Sequence, residues 1–94
     1  MLPTKVTWSD RVEKQLGKIP IHIQEKFRAW MVSVEEDGIH IVRRRHGFHD
    51  EALKGLRLGQ RSVRLNKAYR VIYVQKDQSH IRLIQVIEVN KHEY

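Results

Sequence analysis

The sequence predicts an α+β fold in which two helices pack on one face of a small, mostly antiparallel sheet, in the order strand, helix, helix, strand, strand, strand. Three observations predict it. Apolar residues recur at helical spacing up to Val34, and after Gly59 they switch to a period of two. The chain has 94 residues, 40% of them hydrophobic and none of them cysteine, which suits one domain over 1–94 with one core and no covalent staple.

The elements follow in order. Val6-Thr7-Trp8 is a short apolar strand, and Asp10-Arg11-Val12-Glu13 has the spacing of a capping box, with an acid where the first helical N–H groups lack partners. Val12, Leu16 and Ile19 share one side of that first helix; Gly17 suits its C-cap and Pro20 forbids continuation. Pro20 then opens the second helix at its first position, and Ile23, Phe27, Trp30, Met31 and Val34 recur on its inner face up to Gly38. Trp8 and Trp30 sit in these apolar stripes and are assigned to the core rather than to base stacking. Glu35, Glu36 and Asp37 put negative charge at a helix carboxyl end, which requires a basic partner; Arg43-Arg44-Arg45 is one candidate.

From Ile39 to Gly59 no period holds, so connecting loops are expected. Val63 and Leu65 then alternate with Ser62, Arg64 and Asn66, Lys67-Ala68 makes a tight connection, and Arg70 to Val74 reads as the next strand. A turn is expected over Gln75 to Ser79. Ile81 to Val89 is apolar on both faces, the mark of a central strand. With the helices on one face of the sheet, the other is free to work.

Charge narrows the function. Arg43, Arg44, Arg45, Lys54, Arg57, Arg61, Arg64, Lys67 and Arg70, against Asp50 and Glu51 alone, account for the whole formal excess of +7. Concentration in one segment is what a polyanion-binding face requires. The absence of cysteine excludes a thiolate nucleophile and Cys-ligated metal, and fits a reducing compartment. No apolar run approaches the length of a membrane span and Met1 to Lys5 has no signal-like apolar stretch, so a cytoplasmic protein without a membrane partner is expected. His46 and His49, with Asp50, are too few for a defined metal site; neither metal nor cofactor is expected.

Glu51-Ala52-Leu53-Lys54-Gly55, Gly59-Gln60-Arg61-Ser62-Val63-Arg64-Leu65-Asn66, Tyr69-Arg70-Val71-Ile72-Tyr73 and the tail Asn90-Lys91-His92-Glu93-Tyr94 together resemble the RelE/ParE superfamily of bacterial toxins, and most of all its YoeB and HigB branches. The resemblance implies a toxin of a type II toxin–antitoxin pair, a cognate antitoxin that is a second candidate partner for the acidic helix end, and cleavage of messenger RNA on the ribosome. Such cleavage without metal needs a base for the ribose 2′-OH, a cation for the scissile phosphate and an acid for the departing 5′-oxygen.

Carried over by motif, Glu51 matches the catalytic glutamate, Arg70 the phosphate-contacting arginine and His92 the carboxyl-terminal histidine. Tyr94 lies near the terminal aromatic, although Glu93 separates it from His92 where YoeB-like toxins have the two adjacent. Glu51 has an alternative role in neutralising Lys54 or Arg57, and the two roles are compatible. By strand alternation Arg64 shares a face with Ser62 and Asn66, hence with Arg70, whereas Arg61 is assigned to the rim with Lys54, Arg57 and Lys67, gripping ribosomal RNA. The rival reading is a ParE-type toxin that inhibits gyrase by binding alone and lacks the catalytic set.

Overall fold

The computed structural model describes residues 2–91. Strand β1 (Thr4–Trp8) leads into helices α1 (Asp10–Lys18) and α2 (Ile21–Asp37) and a single turn of helix, α3 (Ile39–Val42); four further strands follow, β2 (Glu51–Ala52), β3 (Arg61–Arg64), β4 (Tyr69–Gln78) and β5 (Ile81–Lys91). They form one mixed sheet in the order β1-β5-β4-β3-β2, antiparallel except that β1 runs parallel to β5. The fold is thus the expected α+β arrangement with more parts: α3, β2 and two 3-10 turns (His46–Phe48 and Gly55–Arg57) occupy the stretch read as loops. Elements of two to four residues are too short for a period to show in them.

Helix ends differ by a residue or two. The N-cap of α1 is Ser9, whose Oγ accepts from the Val12 N–H at 3.4 Å, and Glu13 takes the Trp8 indole N–H instead of closing a box on Asp10. Gly17 stays helical and the C-cap is Ile19, at φ −88° and ψ 157°. The stop comes from Pro20, whose ring forces its predecessor out of the helical region. Pro20 itself is the N-cap of α2, its carbonyl accepting from Ile23 and Gln24, so the helix begins one residue later than expected. At the other end Arg45 pairs with Asp37 at 2.6 Å, and Glu35 accepts the outward N–H of Val6 in β1. The acidic helix end thus closes an edge of the sheet and finds its basic partner in the chain.

Gly38 ends α2 at φ 86° and ψ 150°, a combination open almost only to glycine. A methyl group there would meet no atom within 4 Å, so its cost is purely backbone. Gly38→Ala should lower the unfolding free energy by about 1–3 kcal/mol, read from urea midpoints. A change below a few tenths would mean that the junction relaxes freely.

The core lies between the helices and one sheet face. Val12 and Leu16 of α1, Ile23, Phe27, Trp30 and Val34 of α2, and Ile39 and Val42 of α3 meet Val6, Val63, Val71, Tyr73, Ile84, Val86 and Val89. Aromatic rings run through it, from Trp8 to Phe27 (5.3 Å between centroids), Trp30 (6.0 Å) and Tyr73 (5.6 Å). Both tryptophans therefore serve packing. Among the described residues no helix is long and apolar enough to cross a membrane.

The central strand explains its own pattern. β5 pairs on both edges, and a bulge lies where Ile72 opposes Glu88 but Tyr73 opposes Val86. Ile87 is the extra residue, and beyond it the inward set shifts from Ile84 and Val86 to Val89. That slip reads in the sequence as apolar on both faces. The expected turn over Gln75 to Ser79 is corrected too: β4 continues to Gln78, and only Ser79 and His80 connect it to β5, with Ser79 at φ 49° as a tight hairpin turn demands. Lys76, Asp77 and Gln78 are polar because this end of the hairpin is exposed.

Candidate catalytic face

Strand alternation distributes the polar residues over two surfaces. On the face away from the helices, Glu51 of β2 opposes Ser62 of β3, which opposes Ile72 of β4, which opposes Glu88 of β5. The neighbouring row on that face is Arg64, Arg70 and Asn90. Arg64 and Arg70 are thus directly opposite each other on adjacent strands, where like charges repel. Arg70 is steadied by Asn90, whose Oδ1 accepts from its Nε at 3.2 Å; Arg64 is exposed and has no partner among the described residues. From strand spacing and rise, the Glu51 and Arg70 Cα atoms stand roughly 12 Å apart, a gap that two long side chains and a nucleotide fill.

Glu51 forms no ion pair among the described residues. Arg57 reaches instead across the face to Glu88, Nη2 to Oε2 at 2.7 Å, while Nη1 donates to Gln60. The neutralising role weighed for Glu51 is thus taken by Glu88 where Arg57 is concerned. Arg57 passes over the row of Ser62 and Ile72, and both are buried although they lie outside the main core. The face is therefore partly roofed by the segment between β2 and β3 rather than wholly free.

Glu51 is held by its neighbour. Asp50 turns to the helix side, its side chain only 1% exposed, and accepts from Arg61 Nε at 2.6 Å and from the Tyr73 hydroxyl. Arg43 completes the cluster, donating to Tyr73 Oη and to Gln75 Oε1 at 3.1 Å each. Burial first, and the Asp50 carboxylate second, push the Tyr73 phenol well above its ordinary range, so its hydroxyl remains a donor. A two-residue strand has little pairing energy of its own. The Asp50 cluster pins it from behind, and alternation then presents Glu51 to the opposite face.

Of the residues singled out in the sequence, Glu51, Arg64 and Arg70 thus share one face, and Lys54 is exposed in the segment that follows β2. Lys67 lies in the turn between β3 and β4, near Arg64. Arg57 and Arg61 are both engaged in ion pairs, Arg61 on the helix side. His92 and Tyr94 lie outside the described residues. His46 and His49 share one 3-10 turn, and among the described residues no three His, Asp or Glu side chains gather as a metal site. Sequence reasoning missed Asp50, Glu88 and Asn90. Asn90 carried a usable signal, since it lies two residues before His92 and sets off Val89 by strict alternation; Glu88 was hidden by the bulge.

No family model matches the chain, and neither does any curated protein. Solved structures do. The chain is similar to the YoeB/ParE toxin from Agrobacterium tumefaciens at 17% identity, over 95% of this chain and 99% of that one, with a TM-score of 0.73. It is similar to the archaeal RelE–RelB complex from Pyrococcus horikoshii (22%, 96% and 96%, TM-score 0.71) and to the YoeB–YefM complex from Staphylococcus aureus (19%, 96% and 98%, TM-score 0.70). The likeness spans nearly the whole of each chain, so the conclusion is one of architecture: this chain has the fold of the RelE/ParE toxins.

Proposed function

We propose that the chain is the toxin of a type II toxin–antitoxin pair and a ribosome-dependent messenger-RNA endonuclease that works without metal. The observation that carries this is the Arg64–Arg70 pair on the face that also bears Glu51. Two cations opposed across adjacent strands cost stability unless an anion joins them, and a phosphodiester is the anion whose chemistry uses the carboxylate beside them. Glu51 takes the proton of the ribose 2′-OH, and the 2′-oxygen attacks phosphorus. Arg70, aided by Arg64, bears the charge that builds on the phosphoryl oxygens. The bond to the 5′-oxygen breaks as His92 protonates it, leaving a 2′,3′-cyclic phosphate. Lys54 and Lys67 bind RNA around this centre.

An antitoxin is the partner that the function requires, and similar structures include the YoeB–YefM toxin–antitoxin complex from Staphylococcus aureus. On this reading an acidic segment of the antitoxin covers the Arg64–Arg70 row, and the ribosome supplies the messenger RNA.

The experiment is cleavage of messenger RNA on programmed ribosomes by wild type and Glu51→Gln. The variant should cut about 10²-fold or more slowly with ribosome binding retained, the loss expected of one proton-transfer group. Cells that still stop growing when the variant fails to cleave would favour the gyrase-binding reading, and near wild-type cleavage would remove Glu51 from the mechanism.

A further inference from the structure

A concave feature lies beside the Arg64–Arg70 pair, where β3 runs into the turn at 65–68. It is a cleft of about 260 Å³ lined by Lys26 of α2, Gly47 and His49 of the 3-10 turn region, and Arg64, Leu65, Asn66 and Lys67. Among the described residues no carboxylate lines it, and every polar residue there carries a side-chain donor: two lysines, an arginine, an imidazole and one amide. Asn66 contributes only as a donor, because its Oδ1 already accepts the N–H groups of Ala68 and Tyr69 at 2.8 Å each, which leaves the NH₂ group.

His49 adds a separate observation. It stands at φ 46° and ψ 49°, in the left-handed region where an L-residue is strained. Glycine would occupy that conformation at no steric cost, so the imidazole is kept at the price of backbone strain, a pattern associated with binding sites. Histidine also donates to an anion in either protonation state, from one ring nitrogen or from both.

Arg64 belongs to both features, since it lines the cleft and opposes Arg70 on the next strand. Adjacent strands lie about 4.8 Å apart, so an anion at the Arg64 edge of the cleft and one at Arg70 are close enough to belong to one backbone. We propose that the Lys26–His49–Arg64–Asn66 cleft binds a backbone phosphate of the RNA next to the scissile one. This rests on the reading of the Glu51–Arg70 face as an RNA-cleaving site. The cleft fixes the register of the strand without reading bases, because all its polar contacts are donors to phosphate oxygens. Lys26 and His49 thereby gain a role that the sequence motifs do not assign.

The test measures binding of a fluorescent 2′-O-methyl octaribonucleotide, which lacks the attacking hydroxyl, against salt concentration. Lys26→Ala should reduce the magnitude of the log–log salt slope by about 0.7, the release of one counterion from a single strand. His49→Gly should weaken binding about threefold or more, as for loss of one charge-assisted hydrogen bond at a wet site, while the protein remains at least as stable to urea. That gain in stability separates a lost ligand contact from a damaged fold. Slope and affinity unchanged in both variants, with Arg70→Ala still weakening binding, would overturn the cleft and leave the proposed function standing. Wild type that does not bind the oligonucleotide at all would overturn the cleft as an RNA site, whereas the proposed function falls only if wild type fails to cleave messenger RNA on programmed ribosomes. Inorganic phosphate, or an oligoglutamate peptide, binding more tightly than the RNA and losing that affinity in Lys26→Ala would mean a free-phosphate or acidic-protein site and would overturn the assignment to RNA.

Discussion

Arg70→Ala should lower the single-turnover rate of messenger-RNA cleavage on programmed ribosomes by about 10²-fold or more while leaving ribosome binding nearly intact. The expectation follows from where charge develops. As the 2′-oxygen attacks, negative charge builds on the phosphoryl oxygens, and a guanidinium anchored by Asn90 and placed opposite Arg64 on the next strand is already oriented to receive it. Little reorganisation is needed at the moment of reaction, so the interaction strengthens in the transition state more than in the bound substrate. Arg70→Lys should recover only part of the rate, because an ammonium cannot donate in parallel to two oxygens or keep the fork geometry that Asn90 fixes. Arg64→Ala should fall between wild type and Arg70→Ala, since Arg64 has no such anchor among the described residues. If Arg70→Ala mainly reduced ribosome affinity and left the bound rate unchanged, Arg70 would be a docking residue and the mechanism proposed here would lose its electrostatic centre.

Asp50→Ala is expected to have the largest effect on stability. It removes the carboxylate that accepts from Arg61 and from the buried Tyr73 hydroxyl, leaving two donors facing a cavity beside a third, Arg43. Breaking a buried ion pair from one side typically costs about 3–5 kcal/mol, but the Arg61 side chain is 28% exposed and recovers some hydration, so about 2–4 kcal/mol is expected here. For a chain of this length that corresponds to a fall in Tm of roughly 10–20 °C. Tyr73→Phe should cost only about 1 kcal/mol, and the double variant should cost less than the sum, because the hydroxyl has lost its acceptor already. Asp50→Ala within half a kcal/mol of wild type by urea unfolding would show that water replaces the carboxylate without penalty. A further consequence reaches the site. With β2 released from behind, cleavage by Asp50→Ala should decline even below the temperature at which the domain unfolds.

The parts of this molecule legible in the sequence are those whose signal is longer than the element that carries it. α2 runs for 17 residues with four inward positions at helical spacing, and no other assignment of Ile23, Phe27, Trp30 and Val34 buries them together. The alternation of Ser62, Val63, Arg64 and Leu65 likewise determines which face Arg64 occupies. Glu51 and Arg70 were visible for a different reason, since their neighbours formed a pattern that resembled known toxins.

What the sequence could not give was the pairing. Glu51 and Ser62 are eleven positions apart and Glu51 and Glu88 thirty-seven, and nothing local says that they share a row. Only closing the sheet does so. Nine cations between Arg43 and Arg70 looked like one binding surface, yet four found an internal partner: Arg43 and Arg61 beside the buried Tyr73 and Asp50, where an unpaired polar group is costly, and Arg45 and Arg57 in ion pairs at the surface. Asp50 was unremarkable beside Glu51 until β2 paired with β3. Adjacent residues on a strand face opposite sides, so the same two-residue strand sends one carboxylate into a buried cluster and the other to the open face. The sequence by itself determined the fold class, the inner faces of the helices and the identity of the reactive residue types, since these depend on local periodicity and composition. Tertiary structure alone decided which charges remain available, because availability depends on partners that lie far apart in the chain and meet only when the sheet closes.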